Sequence, residues 1–375
     1  MQRLLILHLS LIDGVGSGII TRLLQSDHFA DLYAFGVQEM AVKCGINLEL
    51  ASKIVHGLKG IEILEQEVQL MQKHCVEWTS VIDEDYPELL KHINGPPSVL
   101  YYRGTPLNRF EKNIAIIGSR KANYYGQQVI DACVSTLVQK GWNIISGGAI
   151  GADTIAHKQT VACAGNTVAI LGSGLLHLYP RSNTRLFQEI IDCGGSVVSP
   201  FALQKTAHPG HFPARNRIIS GMSEACLVVQ AAQKSGALIT AEYALQQGKS
   251  VFAVPGSIFD PLSAGCHALI KEGATPMLSV DDLMRELGET EVQQSLPLVS
   301  LKKVAQTKQT KVKPVLQAAT TIDEKILFHC AREPLCADDL LVHIDIDIDQ
   351  LNNYLFDLQL SGKVMQNAVG LWQLK

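Results

Sequence analysis

The sequence predicts a doubly wound parallel α/β domain set between two small helical end domains. Three observations predict it. Between residue 113 and about 278, six short runs rich in branched apolar residues alternate with amphipathic segments, most of ten or more residues. Residues 1–75 and 323–375 instead repeat apolar residues at helical spacing. Residues 292–322 contain no acid and carry Lys302, Lys303, Lys308, Lys311 and Lys313 among Gln, Thr and Val, the composition of a linker.

Taken in order, the first segment places Leu4, Leu5, Leu7 and Ile12, then Ile19, Ile20, Leu23 and Leu24, on helix faces separated by Gly14-Val15-Gly16. A second turn is expected at Cys44-Gly45-Ile46, before a helix holding Leu50, Ile54 and Leu58. Helix–turn–helix units of this kind can offer backbone N–H groups to a phosphate. With 6 basic and 8 acidic residues in the segment, a plain capping role for the glycines is favoured. Residues 76–110 connect, with Tyr86-Pro87, Pro96-Pro97 and an extended stretch at 98–104. The strands are then expected at 113–117, 142–146, 166–171, 196–199, 225–230 and 250–254. At the far end, helical spacing in Ile326, Leu327, Leu340, Leu341, Leu351, Tyr354, Leu355 and Leu358 precedes a hairpin near Gly362 and Gly370, a winged-helix arrangement.

Composition narrows the functional classes. The chain has 375 residues, 47% apolar and 18% charged, with a net charge of −4, so it is neither disordered throughout nor uniformly basic. No apolar run approaches the ~18 residues of a membrane span, and the opening MQRLLILHLS reads as a first helix rather than a signal peptide. Nine cysteines are scattered without a CxxC pair, so neither a metal site nor a disulfide framework is expected, and most thiols should be buried in a reducing cytoplasm.

The carboxyl ends of the strands carry the signal. They read Gly118-Ser119-Arg120-Lys121, then Gly147-Gly148-Ala149 running to Asp153, then Gly172-Ser173-Gly174, with Lys234-Ser235-Gly236 after the fifth strand and Pro255-Gly256 after the sixth. In an open parallel sheet the ligand crevice lies outside these ends, and glycine loops there admit an anion to backbone N–H groups. The first loop is not GxGxxG, and GxxxxGK[ST], HExxH and GxSxG are absent from the central domain. Asp153 and His157 share one helix face, and without a third ligand they read as a helix-capping Asp and a partly buried His. From Lys112 to Ser250 there are 12 Lys plus Arg against 6 Asp plus Glu, and 154–188 and 193–223 contain no acid. Arg120, Arg215 and Lys234 fall at or near strand ends, with Phe212 and Tyr179 close by in sequence. Cations with rings suit a single nucleic-acid strand, whose phosphates need charge and whose bases need stacking surfaces. Arg215 and Arg217 flank Asn216 and point apart on a helix, so Arg217 is expected to be a structural ion-pair partner. Phe212 reads equally as core or as a base-stacking ring.

At this point the chain resembles the DNA-processing protein DprA (Smf) family. The stretches that carry the resemblance are YPELL (86–90), PPSVLYYRG (96–104), IAIIGSRKANYYG (114–126), SGGAIGADTIAH (146–157), TVAILGSGLLHLYPRSN (167–183), FPARNRIISGMS (212–223), SGALITAEYAL (235–245) and VFAVPG (251–256). It covers roughly residues 80–278 densely and the ends loosely. The resemblance implies an extended Rossmann-like fold without catalytic residues, metal or cofactor. It implies a cytoplasmic protein that binds single-stranded DNA, protects incoming strands, loads the recombinase RecA in natural transformation and forms a homodimer through its Rossmann-like domain. Four parts are then expected: 1–75, a helical SAM-like (helix-hairpin-helix-like) domain; 76–290, the DNA-binding Rossmann-like domain; 291–321, a Lys-rich linker; and 322–375, a winged-helix-like domain. Carried onto this sequence, the DNA-binding residues are Gly118, Ser119, Arg120, Lys121, Gly147, Gly148, Ala149, Phe212, Arg215 and Asn216, with Lys234, Ser235 and Gly236 lining the same crevice.

The sequence departs from the family at Ser199-Pro200 and Gln230-Ala231, where many members carry an acid. Both changes weaken any proposal of chemistry there. Pro209-Gly210-His211 stands where some relatives place a cation before the Phe, so one phosphate contact is expected to be either missing or supplied by Lys205. Residues 323–375 hold 9 acids against 4 Lys plus Arg, so a protein-contact or autoregulatory role is expected there rather than duplex binding. Two other classes compete: a nucleotide-phosphate-binding Rossmann enzyme of the phosphoribohydrolase type, which needs an acid beside its glycine loop, and an adaptor with a vestigial crevice.

Overall fold

The computed structural model describes residues 2–289, 321–330, 335, 340–341, 344, 346–366 and 372–374. The Lys-rich stretch from Lys302 to Lys313, Cys336 and Asp345 lie outside the described residues. The chain divides into two compact units, Met1–Leu296 and Pro297–Lys375.

Nine strands form the sheet of the first unit: β1 (Glu77–Ser80), β2 (Val99–Gly104), β3 (Asn113–Ile117), β4 (Asn143–Ser146), β5 (Thr167–Ile170), β6 (Ser196–Ser199), β7 (Ala225–Val228), β8 (Ser250–Ala253) and β9 (Thr275–Pro276). Their order is β1-β2-β6-β5-β4-β3-β7-β8-β9. From β6 to β9 all neighbours are parallel, and the runs of Ile and Val in β3 to β5 are buried as a sheet covered on both faces requires. The extended stretch at 98–104 is itself a strand. It pairs antiparallel with β6 (Tyr101 opposite Ser199) and carries β1 outside it, so the sheet is mixed at one edge.

Two of the helices between the strands begin where a polar side chain satisfies a free N–H group. Asn123 Oδ1 accepts from Gly126 N at 3.2 Å to start α7 (Tyr124–Gln139), and Ser235 Oγ accepts from Ala237 N to start α11 (Gly236–Gln246). Also in this layer are α8 (Ala152–Ala162), α9 (Thr184–Asp192), α10 (His211–Gly221), α12 (Ala264–Lys271) and α13 (Val280–Glu286). After α13, Glu289 accepts from Trp142 Nε1 at 3.1 Å and pairs with Lys112, which fixes the chain beside the amino ends of β3 and β4.

Residues 1–75 form α1 (Gln2–Ser10), α2 (Ser17–Leu24), α3 (Val37–Cys44), α4 (Leu48–Lys59) and α5 (Ile61–Lys73), and the short α6 (Glu88–Lys91) lies between β1 and β2. The glycines at the two turns act as caps: Gly16 precedes α2, and Gly45 ends α3 in the left-handed region at φ 61°. These helices share one core with the sheet, in which Leu5, Leu7 and Leu64 join Tyr101, Leu171, Phe187 and Leu203. Glu67 crosses this junction and accepts from Leu203 N at 2.8 Å. Burial raises its carboxyl above the ordinary range, against the pull of that N–H.

In the second unit, α14 (Ile322–Cys330), α15 (Ile348–Leu360) and the hairpin β10 (Val364–Gln366) with β11 (Trp372–Leu374) enclose Ile326, Leu351, Leu355 and Val364. Asp347 caps α15 by accepting from Gln350 N at 2.8 Å. Of the eight described cysteines, Cys44, Cys133, Cys226, Cys266 and Cys330 are buried, whereas Cys75 and Cys193 are exposed.

Candidate functional site

Strand order reverses between β3 and β7, and such a switch point opens a crevice at the carboxyl edge. The crevice is lined by Arg120, Gly147, Ala149, Ile150, Gly172, Tyr179, Pro180, Phe212 and Arg215. Its floor is the loop after β4. Gly147 has to be glycine, because a Cβ there would stand 2.7 Å from Asp153 Oδ2 and 2.8 Å from the Arg215 guanidinium carbon. Gly172 is equally constrained by Phe212, whose ring would lie 2.9 Å from a Cβ.

Arg215, on α10, is only 4% exposed. Its Nη1 donates to the carbonyl oxygens of Gly147 and Ile170, tying the loop after β4 to the end of β5. Burial lowers its pKa to about 10, with Asp153 opposing that fall, so it stays charged at neutral pH. Asp153 Oδ2 accepts from Gly147 N at 3.1 Å and Ala149 N at 3.3 Å. Burial raises its carboxyl, while the Arg215 charge and the amide of Ala149 hold it down. Asp153 therefore caps the glycine loop rather than its own helix, a correction to the sequence expectation.

His157 is fully buried, not partly. Thr167 Oγ1 donates its one hydrogen to Ile144 O at 2.6 Å, so at 2.7 Å it must accept from His157 Nδ1. The buried Nε2 has no hydrogen-bond partner to receive a second proton's bond, which favours the neutral imidazole with Nε2 bare. Burial, with Arg215 adding to it, lowers its pKa to about 3. Among the described residues, no group of His, Cys, Asp and Glu could hold a metal ion.

The rim is different in kind. Arg120 is exposed, and its guanidinium carbon lies 5.5 Å from the Phe212 ring centroid. Phe212 is half-buried, with its centroid 5.7 Å from Tyr179, which is 47% exposed. Charge and two rings thus face solvent above a floor of backbone.

The other expected residues lie around the crevice rather than in it. Gly118 packs on Ala152, and Ser119 is buried with its carbonyl accepting from Ala152 N at 3.1 Å. Gly148, at φ 66°, packs on Phe187. Lys121 and Lys234 are exposed. Asn216 Nδ2 donates to Gly236 O at 3.3 Å, which links α10 to the Ser235-Gly236 loop. Arg217 is structural as expected, but among the described residues it makes no ion pair. It donates to the carbonyls of Asn94 and Gly95, and Gly95 has φ 65°. Lys205 is 3.5 Å from Asp13, an exposed pair of little strength. Gln230 is buried at the end of β7. Its Oε1 accepts from Asn123 N at 3.1 Å and its Nε2 donates to Asn123 Oδ1 at 3.0 Å. Among the lining residues, Ile150 and Pro180 lie in stretches that carry the resemblance but were not singled out, whereas Gly172 and Tyr179 were visible as a glycine loop and a nearby ring.

A mostly parallel Rossmann-like sheet, with a cation and two rings over a glycine floor at its switch point, defines an α/β protein of the dinucleotide-fold class without the dinucleotide fingerprint. Residues 77–288 match the family described as DNA recombination-mediator protein A, and the chain belongs to that family. Protein Smf of Synechocystis sp. is 32% identical over 385 aligned residues, covering 95% of each chain. DNA processing protein DprA of Bacillus subtilis is 41% identical over 219 residues, 58% of this chain and 73% of that one. The X-ray structure of DprA from Streptococcus pneumoniae superposes with a TM-score of 0.56 at 34% identity, over 72% of this chain and 97% of that one. The Helicobacter pylori protein, whose structure is reported for its single-stranded DNA binding mode, gives 0.52 at 28% identity, over 57% and 96%.

Proposed function

We propose that this chain binds single-stranded DNA in the crevice at the switch point and acts there as a recombination mediator without catalysis. The observation that carries the reading is the rim, where exposed Arg120 stands beside Phe212 and Tyr179 over a backbone floor. A phosphate can meet the guanidinium while a base stacks on a ring. Asp153, the acid nearest the floor, is committed to loop amides and to Arg215, which leaves it poorly placed for the phosphoribohydrolase alternative. Membership of the family supports the finer reading: protection of incoming strands in the cytoplasm, delivery to RecA in natural transformation, and a homodimer formed through the α/β unit. The four-part organisation, with the acidic 322–375 segment as a protein contact, belongs to the same proposal.

Anisotropy titration of labelled oligo-dT and a matched duplex at two salt concentrations tests it. Wild type should prefer the single strand and weaken with salt. Arg120→Ala should bind more weakly and lose about 0.7 from the log–log salt slope, one phosphate's share. Binding of neither nucleic acid by wild type would sink the proposal.

A further inference from the structure

The crevice occupies the β5–β4–β3 side of the carboxyl edge. The same edge continues over β7 to β8, and there the surface is unusually apolar. Ile258 is 81% exposed and Phe259 88%, both in the loop after β8. Tyr124, at the start of α7, is 73% exposed. Three large apolar side chains this open need an explanation beyond chance exposure. The two segments are held together. Tyr125 Oη donates to Pro255 O at 2.7 Å, and Asn123 Nδ2 donates to Asp260 Oδ2 at 3.4 Å. Lys121 is exposed at the turn leading from Arg120 to Tyr124. The acid present, Asp260, also accepts from Leu262 N at 2.9 Å, so both its oxygens are engaged.

We propose that Tyr124 and Phe259, with Lys121 between them and Arg120, form a second base-stacking station, so that one nucleic-acid strand runs across the carboxyl edge from Phe212 to the loop after β8. This rests on the single-strand reading above and extends it. Continuity argues for it: Arg120 belongs to the crevice, and Lys121 and Tyr124 follow on the same turn. Chemistry argues for it too, since a cation followed by open rings repeats the arrangement at Arg120, Phe212 and Tyr179. From β4 to β8 there are three strand steps, about 14 Å at 4.7–4.9 Å each. An oligomer too short to span that distance reaches only the first station.

The test is an oligo-dT ladder from about 4 to about 16 nucleotides, spanning the usual site sizes, titrated against wild type, Tyr124→Ala, Phe259→Ala and the double variant. Sedimentation velocity is run on each protein. Both side chains are open to solvent, so the variants should fold. The expected result is unchanged affinity for the shortest oligomers that bind, with a loss of at least about fivefold per ring for the longer ones, the lower end of one base's stacking. Equal affinities of wild type and double variant at every length would overturn the second station and leave the crevice standing. Dissociation of an oligomer by Phe259→Ala with DNA affinity unchanged would also overturn it, and would assign the loop to contact between copies of the chain. If wild type binds no length, the single-strand reading itself fails.

Discussion

Two cations of the same site do opposite work. Arg120 is open to a ligand, whereas Arg215 is tied to carbonyl oxygens, and its charge balances a buried acid. Removing it strands Asp153 without its partner. Arg215→Ala should therefore cost about 3–5 kcal/mol of stability, read from urea unfolding. Arg120→Ala should leave the unfolding midpoint in place. His157 adds a pH dependence. Its imidazole stays neutral in the fold down to about 3, while the unfolded chain protonates near the ordinary 6.5. Below 6.5 the unfolded state holds more protons, so this residue removes ~1.4 kcal/mol of stability per pH unit as the pH falls towards 3. His157→Asn keeps a donor near Thr167 and should flatten that part of the slope, measured as the difference from wild type between pH 6.5 and 5. The glycine floor was legible because close backbone approach demands glycine. The division between Arg120 and Arg215 was not, since a motif cation does not reveal whether it faces a ligand or the carbonyl end of a strand.

Loops and helices hold the site through a few neutral bonds. Gln230 joins the end of β7 to the Asn123 cap of α7, accepting one hydrogen bond and donating another. A carboxylate cannot donate. Gln230→Glu should thus lose about 1–3 kcal/mol, more at pH 8 than at pH 5, because a buried Glu can regain a donor by protonation. Paired urea titrations at the two pH values check both size and sign. Six of the seven parallel strands were legible as elements because each is a short apolar run with both faces covered. β9 is two residues, one of them Pro276, and β1 is the polar-alternating Glu77–Ser80. Neither produces a periodic signal, and only the neighbours they pair with make them strands. The stretch at 98–104 was legible as extended, but its antiparallel place beside β6 depends on contacts nearly a hundred residues away.

Across the α/β unit, the helices of residues 1–75 are part of the core rather than an appendage. Removing them would expose Tyr101, Leu171, Phe187 and Leu203 and leave Leu203 N without Glu67. A chain starting at residue 76 should aggregate or elute expanded in size exclusion, whereas one ending at residue 296 should stay compact and keep single-strand affinity. Recovery of a compact, monodisperse protein from residue 76 onward would contradict the shared core. The clasp of Trp142 and Lys112 on Glu289 has a practical consequence. It holds the last described residue of the unit at the amino ends of β3 and β4, while the rings and Arg120 stand at the carboxyl ends, about 13–17 Å along four to five residues of strand. A biotin or surface linker attached after Glu289 therefore anchors the protein by its far side, and a sensor chip prepared that way would present the crevice to the flowing strand.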